Sequence, residues 1–143
     1  MVEDMAKVRL RIITPDSVKT DEEADMVIMR CVTGDLGVLP GHMPLSAALS
    51  YGALRALNNG GERAIVVHGG FVTIQDDVVT VLTKNAEWPY EIDLPRAHAD
   101  RERAEQRLRE HIDENEYNYN QLLLRRALVE IEIGIPASDD EDM

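Results

Sequence analysis

Cysteine occurs once in the 143 residues, at Cys31. No intrachain disulfide can form, and a thiolate metal cluster is disfavoured; the residue reads as part of a half-buried strand. Aromatic residues are almost as scarce, with one Trp, one Phe and four Tyr, so the core must be built from Val, Ile, Leu, Met and Ala. Basic residues are in deficit: 15 Lys and Arg face 27 Asp and Glu, a formal net charge of -12. Such a chain is repelled by phosphate backbones and by anionic membrane surfaces, which disfavours nucleic-acid binding and direct electrostatic membrane attachment. Apolar runs of the roughly 20 residues needed to span a bilayer are missing. The opening Met1–Lys7 lacks the charged-then-apolar order of a secretory signal. The chain therefore reads as a soluble protein of a reducing compartment. Its hydrophobic share, 44%, is enough for a packed core.

Two textures meet near residue 90. Val8-Arg9-Leu10-Arg11-Ile12-Ile13 alternates apolar and basic before Thr14-Pro15-Asp16 interrupts it, which predicts a strand with one wet face. Ala24 to Val32 forms a second run, and shorter ones follow at 52–57, 64–68, 71–75 and 78–82. Asn58-Asn59-Gly60-Gly61 and Gln75-Asp76-Asp77 supply tight-turn chemistry between them. Many short strands without a helical period predict a β-sandwich or barrel.

Beyond Asp93 the period lengthens. Ala97, Ala104, Leu108 and Ile112 share one helical face, with Asp93 as N-cap and Pro95 tolerated in the first turn. Asp113 and Glu116 resemble a capping box for a second helix, along which Tyr117, Gln121, Leu124, Leu128 and Ile131 recur until Gly134 and Pro136 stop it. The fold class is thus α+β, an N-terminal antiparallel β-sandwich followed by a C-terminal antiparallel two-helix hairpin. The expected division is a sandwich over 1–89, a hairpin over 90–134, and an acidic, disordered tail over 135–143. The alanine-rich stripe of the first helix buries little area, so the hairpin needs a surface to dock on. A movable element and a permanently docked one both satisfy that need.

Reactive chemistry is sparse. His42, His68, His98 and His111 show no metal-ligand spacing; His98 and His111, both placed on the first helix, lie too far apart to share a ligand. Gly60-Gly61 and Gly69-Gly70 open no phosphate-binding fingerprint and read as turns and close strand packing. Ser46 and Ser50 lack a nearby His in a nucleophile pattern, and Asp76-Asp77 reads as a solvated turn. No catalytic constellation emerges, and no metal site.

One segment is unusual. Gly34-Asp35-Leu36-Gly37-Val38-Leu39-Pro40-Gly41-His42-Met43-Pro44-Leu45 places three glycines and two prolines around an apolar thread, which predicts a rigid, tightly turned connection and not a regular strand. It closely resembles a signature of the ATP synthase epsilon subunit family. Val8 to Pro15, Val67-His68-Gly69-Gly70-Phe71, Val78-Val79-Thr80-Val81-Leu82 and Glu91-Ile92-Asp93-Leu94-Pro95-Arg96-Ala97 resemble further family segments. Together the resemblance spans about residues 8 to 132.

The resemblance implies a non-catalytic central-stalk subunit of an F-type ATP synthase, peripheral on the cytoplasmic face of a bacterial membrane. Its sandwich would bind the gamma subunit and rest on the c-subunit ring, so that turning couples proton or sodium flow to ATP synthesis. Asp35 and His42 fall in the family's ring-facing loop, although both could serve only to shape the turn. The hairpin would extend along gamma to contact the alpha/beta hexamer and inhibit ATP hydrolysis, with Arg125 and Arg126 as contacts for acidic surfaces. Some family members bind ATP as a regulatory ligand in the folded hairpin; the matching positions are Glu87, Ile92, Asp93, Arg96, Ala97, Arg103 and Arg126. Glu130 departs from that pattern, standing where an arginine is expected one turn beyond Arg126, and an acid beside a triphosphate is repulsive. Trp88-Pro89-Tyr90 departs as well, in a linker that is usually charged and small. The alternative function is accordingly a nucleotide-sensing module, and no resident cofactor is required.

Overall fold

The computed structural model describes residues 6–135; the acidic stretch Ala137–Asp142 lies outside the described residues. Eight strands precede two helices: β1 (Val8–Ile13), β2 (Val18–Ala24), β3 (Met26–Cys31), β4 (Gly34–Val38), β5 (Leu45–Asn58), β6 (Gly61–Gln75), β7 (Val78–Leu82), the two-residue β8 (Ala86–Glu87), α1 (Leu94–Leu108) and α2 (Glu114–Ile133). The chain divides into two compact units, one ending at Ala86 and the other beginning at Glu87.

In the first unit the strands run in the order β2-β1-β7-β6-β5-β3-β4. Every pair along that order is antiparallel except β1 and β7, which run parallel from Arg9 opposite Val78 to Ile13 opposite Leu82. The sheet curls until β1 packs across the interior against β3 and β2 against β5, giving the two layers of a sandwich. Alternation decides what lies between them. Val8, Leu10 and Ile12 of β1 point inward with Val27, Met29 and Cys31 of β3, Leu54 of β5, Val72 and Ile74 of β6, and Val79 and Val81 of β7. Each such side chain contributes about 1.5–3 kcal/mol by leaving water.

Three features of the sandwich depart from the sequence expectation. Gly34–Val38 is a regular strand, β4, and not a turned connection: Val38 is buried, and the segment pairs with β3, Arg30 opposite Asp35. The chain turns only from Leu39 onward. The hydrophilic segment Val18–Ala24, which carries no strand pattern, forms edge strand β2 because its backbone pairs with β1. Its acids meet basic neighbours, Arg9 to Asp21 at 2.7 Å and Arg63 to Glu22 at 2.6 Å, and a charged edge discourages pairing with other chains. Finally, the runs at 64–68 and 71–75 are a single strand, β6, continuous through Gly69-Gly70. Gly70 has φ +113°, and a Cβ there would lie 2.0 Å from the Leu82 carbonyl oxygen, so only glycine lets β6 and β7 approach. The turns at Asn59-Gly60 and Asp76-Asp77 have the positive φ values (52° and 82°, 51° and 63°) that two-residue hairpins need.

In the second unit Asp93 caps α1 by accepting from the Arg96 amide at 3.1 Å, and Asp113 caps α2 by accepting from the Glu116 amide at 2.8 Å. α2 ends at Gly134 in an ordinary backbone conformation, φ −63°. A side chain there would strike Leu94 Cδ2 at 2.7 Å. The Ile135 amide then donates to the Pro89 carbonyl at 3.1 Å. Ala97 and Ala104 are the buried apolar residues of α1, as the pattern implies. The buried residues of α2 differ from expectation: they are Asn120, Ala127 and Glu130, whereas Tyr117, Gln121 and Leu128 are exposed. Small alanines on α1 permit close helix approach, and Ala127 suits that spacing better than the larger side chains. His111 lies in the connection after α1, not on the helix.

Candidate functional site

Two groups of residues stand out. The first, in the sandwich unit, is the loop between β4 and β5. Leu39 and Met43 are 54% and 72% exposed, and Val32 and Leu45 are exposed nearby in sequence. The loop is well fixed. The Gly41 amide donates to Asp77 Oδ1 at 2.7 Å, the His42 amide to the Leu39 carbonyl at 3.2 Å, and His42 Nδ1 to the Met43 carbonyl at 2.7 Å. The carbonyl can only accept, which assigns the proton to Nδ1. Asp35 sits on β4 and pairs with Arg30 at 3.3 Å, both side chains open to water. A cleft of about 330 Å³ beside it is lined by Cys31, Val32, Leu36 and Leu45. Burial, then the Asp35 charge, push the Cys31 thiol above its ordinary pKa, which makes it a poor nucleophile. Asp77 escaped the sequence reading, which treated it as a solvated turn; no sequence signal marks it, because its partner lies 36 residues away.

The second group lies in the hairpin unit. Arg96 reaches from α1 to Glu130 Oε2 of α2 at 2.7 Å and to Asp100 at 3.1 Å. Arg103 donates to the other oxygen of Asp100 at 2.8 Å, and Arg126 Nε stands 3.7 Å from Glu130 Oε1. Glu130 is 0% exposed. Burial and then the Glu87 carboxyl push its pKa up, and Arg96 pulls it down without cancelling them. Burial opposes the charge on Arg96, but Glu130, Asp100 and Glu87 outweigh it and hold the guanidinium above its ordinary value.

Of the residues matched to an ATP pattern, Glu87, Arg96, Arg103 and Arg126 therefore belong to one ionic network centred on Glu130 and Asp100. Ile92 and Ala97 are buried, and Asp93 is engaged as the cap of α1. Arg125 is exposed on α2, while Arg126 is half-buried. His98 and His111 are exposed, and His68 is half-buried with its Nε2 3.4 Å from the Tyr51 hydroxyl. Among the described residues no cluster of His, Cys, Asp and Glu is arranged to hold a metal ion, and no helix is long and apolar enough to cross a membrane.

A sandwich with one ordered apolar loop, followed by a helical hairpin held by internal ion pairs, defines the class as a two-part β-sandwich and helical-hairpin protein. Comparison with known proteins makes this specific. Residues 7–89 match the family model described as ATP synthase, Delta/Epsilon chain, beta-sandwich domain, and residues 91–133 the one described as ATP synthase, Delta/Epsilon chain, long alpha-helix domain. The chain belongs to the ATP synthase delta/epsilon chain family, and within it to the bacterial epsilon type. Its relatives include the ATP synthase epsilon chain of Alkalihalophilus pseudofirmus, 46% identical over 73% of this chain and 78% of that one. That of Bacillus velezensis is 39% identical over 91% and 98%. Among solved structures, a chain of the Euglena gracilis mitochondrial ATP synthase, determined with OSCP, F1 and c-ring, is 25% identical with a TM-score of 0.77 over 87% of this chain and 79% of that one. A chain from the Tetrahymena thermophila mitochondrial ATP synthase central stalk and c-ring shares the fold at 11% identity, TM-score 0.61, over 89% and 96%.

Proposed function

We propose that this chain is a non-catalytic rotor subunit, which joins the gamma subunit to the c-subunit ring and transmits ion-driven rotation to ATP synthesis. The match of both its parts to the delta/epsilon family carries this reading. In it the β4–β5 loop meets the ring: Leu39 and Met43 offer apolar contact, and Asp35 and His42 offer charge-assisted hydrogen bonds. The rigid tether of Gly41 to Asp77 suits a contact that must bear torque. The chain is then held peripherally at the cytoplasmic face of the membrane through its partners.

The hairpin is the regulatory part, able to contact the alpha/beta hexamer and slow ATP hydrolysis. Exposed Tyr119 and Leu122 of α2 and Arg125 are available for that contact. Arg96 and Arg103 engage Glu130 and Asp100, so an ATP bound at these arginines would have to displace those ion pairs.

The test is purification of a tagged form from native membranes, with a cysteine introduced as His42→Cys for cross-linking. Recovery of gamma, alpha, beta and c subunits, with a His42→Cys adduct to c, is the expected result. Recovery of the chain alone, under conditions that keep the synthase whole, overturns it.

A further inference from the structure

Glu130 is the only acidic side chain among the described residues with no solvent exposure. Its two oxygens are treated differently. Oε2 accepts from Arg96 at 2.7 Å, whereas Oε1, equally buried, accepts no hydrogen bond from a donor among the described residues. Arg126 Nε approaches Oε1 only to 3.7 Å, too far for a hydrogen bond. A buried carboxylate oxygen without a donor is costly.

The groups facing Glu130 come from three elements. Glu87 of β8 brings a second carboxyl within hydrogen-bonding range. Arg96 of α1 is divided between Glu130 and Asp100, whose other oxygen is held by Arg103. Arg126 lies one turn before Glu130 on α2 itself. Two carboxylates in range of one another repel, but a carboxyl and a carboxylate joined by one proton attract.

We propose that Glu87 and Glu130 form a proton-binding site, in which one shared proton favours the closed hairpin and its loss loosens the seam between α1 and α2. The proton comes from water and returns to water as the site opens and closes. The site goes beyond the rotor reading, because it links the closure of α1 on α2 to the pH around it.

The linkage has a definite sign. Glu130 has a closed-state pKa above its ordinary 4.5, so closure takes up a proton. The stabilisation is fully present below that ordinary value and is lost as pH rises through the raised one. In the window between them the closed-to-open ratio falls by up to about tenfold per pH unit for one linked proton. Above the window it no longer changes on account of this site.

The experiment uses the isolated full chain with labelled glutamate carboxyl carbons, titrated by NMR from about pH 4 to about pH 9. Hydrogen exchange of α1 and α2 amides, corrected for intrinsic rate and referenced to sandwich amides, is followed in parallel. The expected result is a Glu130 titration above the ordinary carboxylate range, with hairpin opening rising with pH and levelling off at that midpoint. Glu130→Gln should remove that slope and Glu87→Gln should move its midpoint down, while the sandwich amides stay unchanged. Should Glu130→Gln prevent the hairpin from forming, Glu87→Gln decides, because its amide can still donate to Glu130. A Glu130 titration at or below the ordinary value, or a midpoint that Glu87→Gln leaves unmoved, overturns the proposal. Neither result depends on the rotor reading, which concerns partners absent from the tube.

Discussion

Replacing Arg96 by alanine should open the hairpin while leaving the sandwich intact. The side chain makes the 2.7 Å hydrogen bond to the fully buried Glu130 and the 3.1 Å one to Asp100. A hydrogen bond to a charged group is worth about 1.5–3 kcal/mol, and stripping one partner from a buried ion pair costs about 3–5 kcal/mol. Two circumstances reduce that figure. Arg96 is itself 36% exposed, so water weakens the pair, and Glu130 can accept a proton once its counter-ion is gone. The expected net loss is about 2 kcal/mol, or about 30-fold in the ratio of closed to open hairpin. Native-state hydrogen exchange reads this directly: amides in the middle of α1 and α2 should lose about 30-fold of their protection, while those of β1, β6 and β7 serve as an internal reference. The loss should shrink in acid, where a protonated Glu130 no longer needs a cation. If α2 protection in Arg96→Ala stays within about twofold of the parent, the ion pair does not hold the helices together and the reasoning fails.

Gly70→Ala tests the close approach of β6 and β7, since the added carbon would meet the Leu82 carbonyl at 2.0 Å in a backbone region L-residues avoid. We expect a loss of about 3 kcal/mol, seen as a fall of more than about 10 °C in the sandwich melting transition; an unchanged transition would contradict the strand register. Asp77→Gly should speed exchange of the Gly41 amide about five- to tenfold, by removing an acceptor worth about 1 kcal/mol. Asp77→Asn, which keeps the oxygen and tolerates φ 63°, should restore slow exchange. Equal exchange in both variants would show that the 2.7 Å contact does not order the loop.

The general outline was legible because it rests on periodicity. The two-residue alternation of β1 and the alanine spacing of α1 each state which face is buried, and Asp93, Asp113 and the two hairpin turns announce their own chemistry. Reading failed where neighbours decide. β2 has no apolar pattern and exists because β1 offers a backbone to pair with. The segment Gly34–Val38 looks too rich in glycine for a strand, yet β3 holds it as one.

The candidate sites divide in the same way. Asp35, His42, Arg96 and Glu130 could be singled out from the chain because unusual residue types at unusual spacings, or departures from a family pattern, are properties of sequence. Nothing in one dimension, however, says that Asp77 would tether Gly41 or that Glu130 would be driven inward.

The amino-acid sequence by itself determined the order of the parts, the strand and helix faces of greatest contrast, the caps and turns, and the family, all of which depend on local composition and spacing. Tertiary structure alone decided the parallel β1–β7 pair, the inward face of α2 and the burial of Glu130. The physical reason is that these depend on which surface arrives opposite. Two alanines on α1 set how near α2 can come, and at that distance Ala127 and Glu130 are enclosed while Tyr117 and Leu128 are left in water.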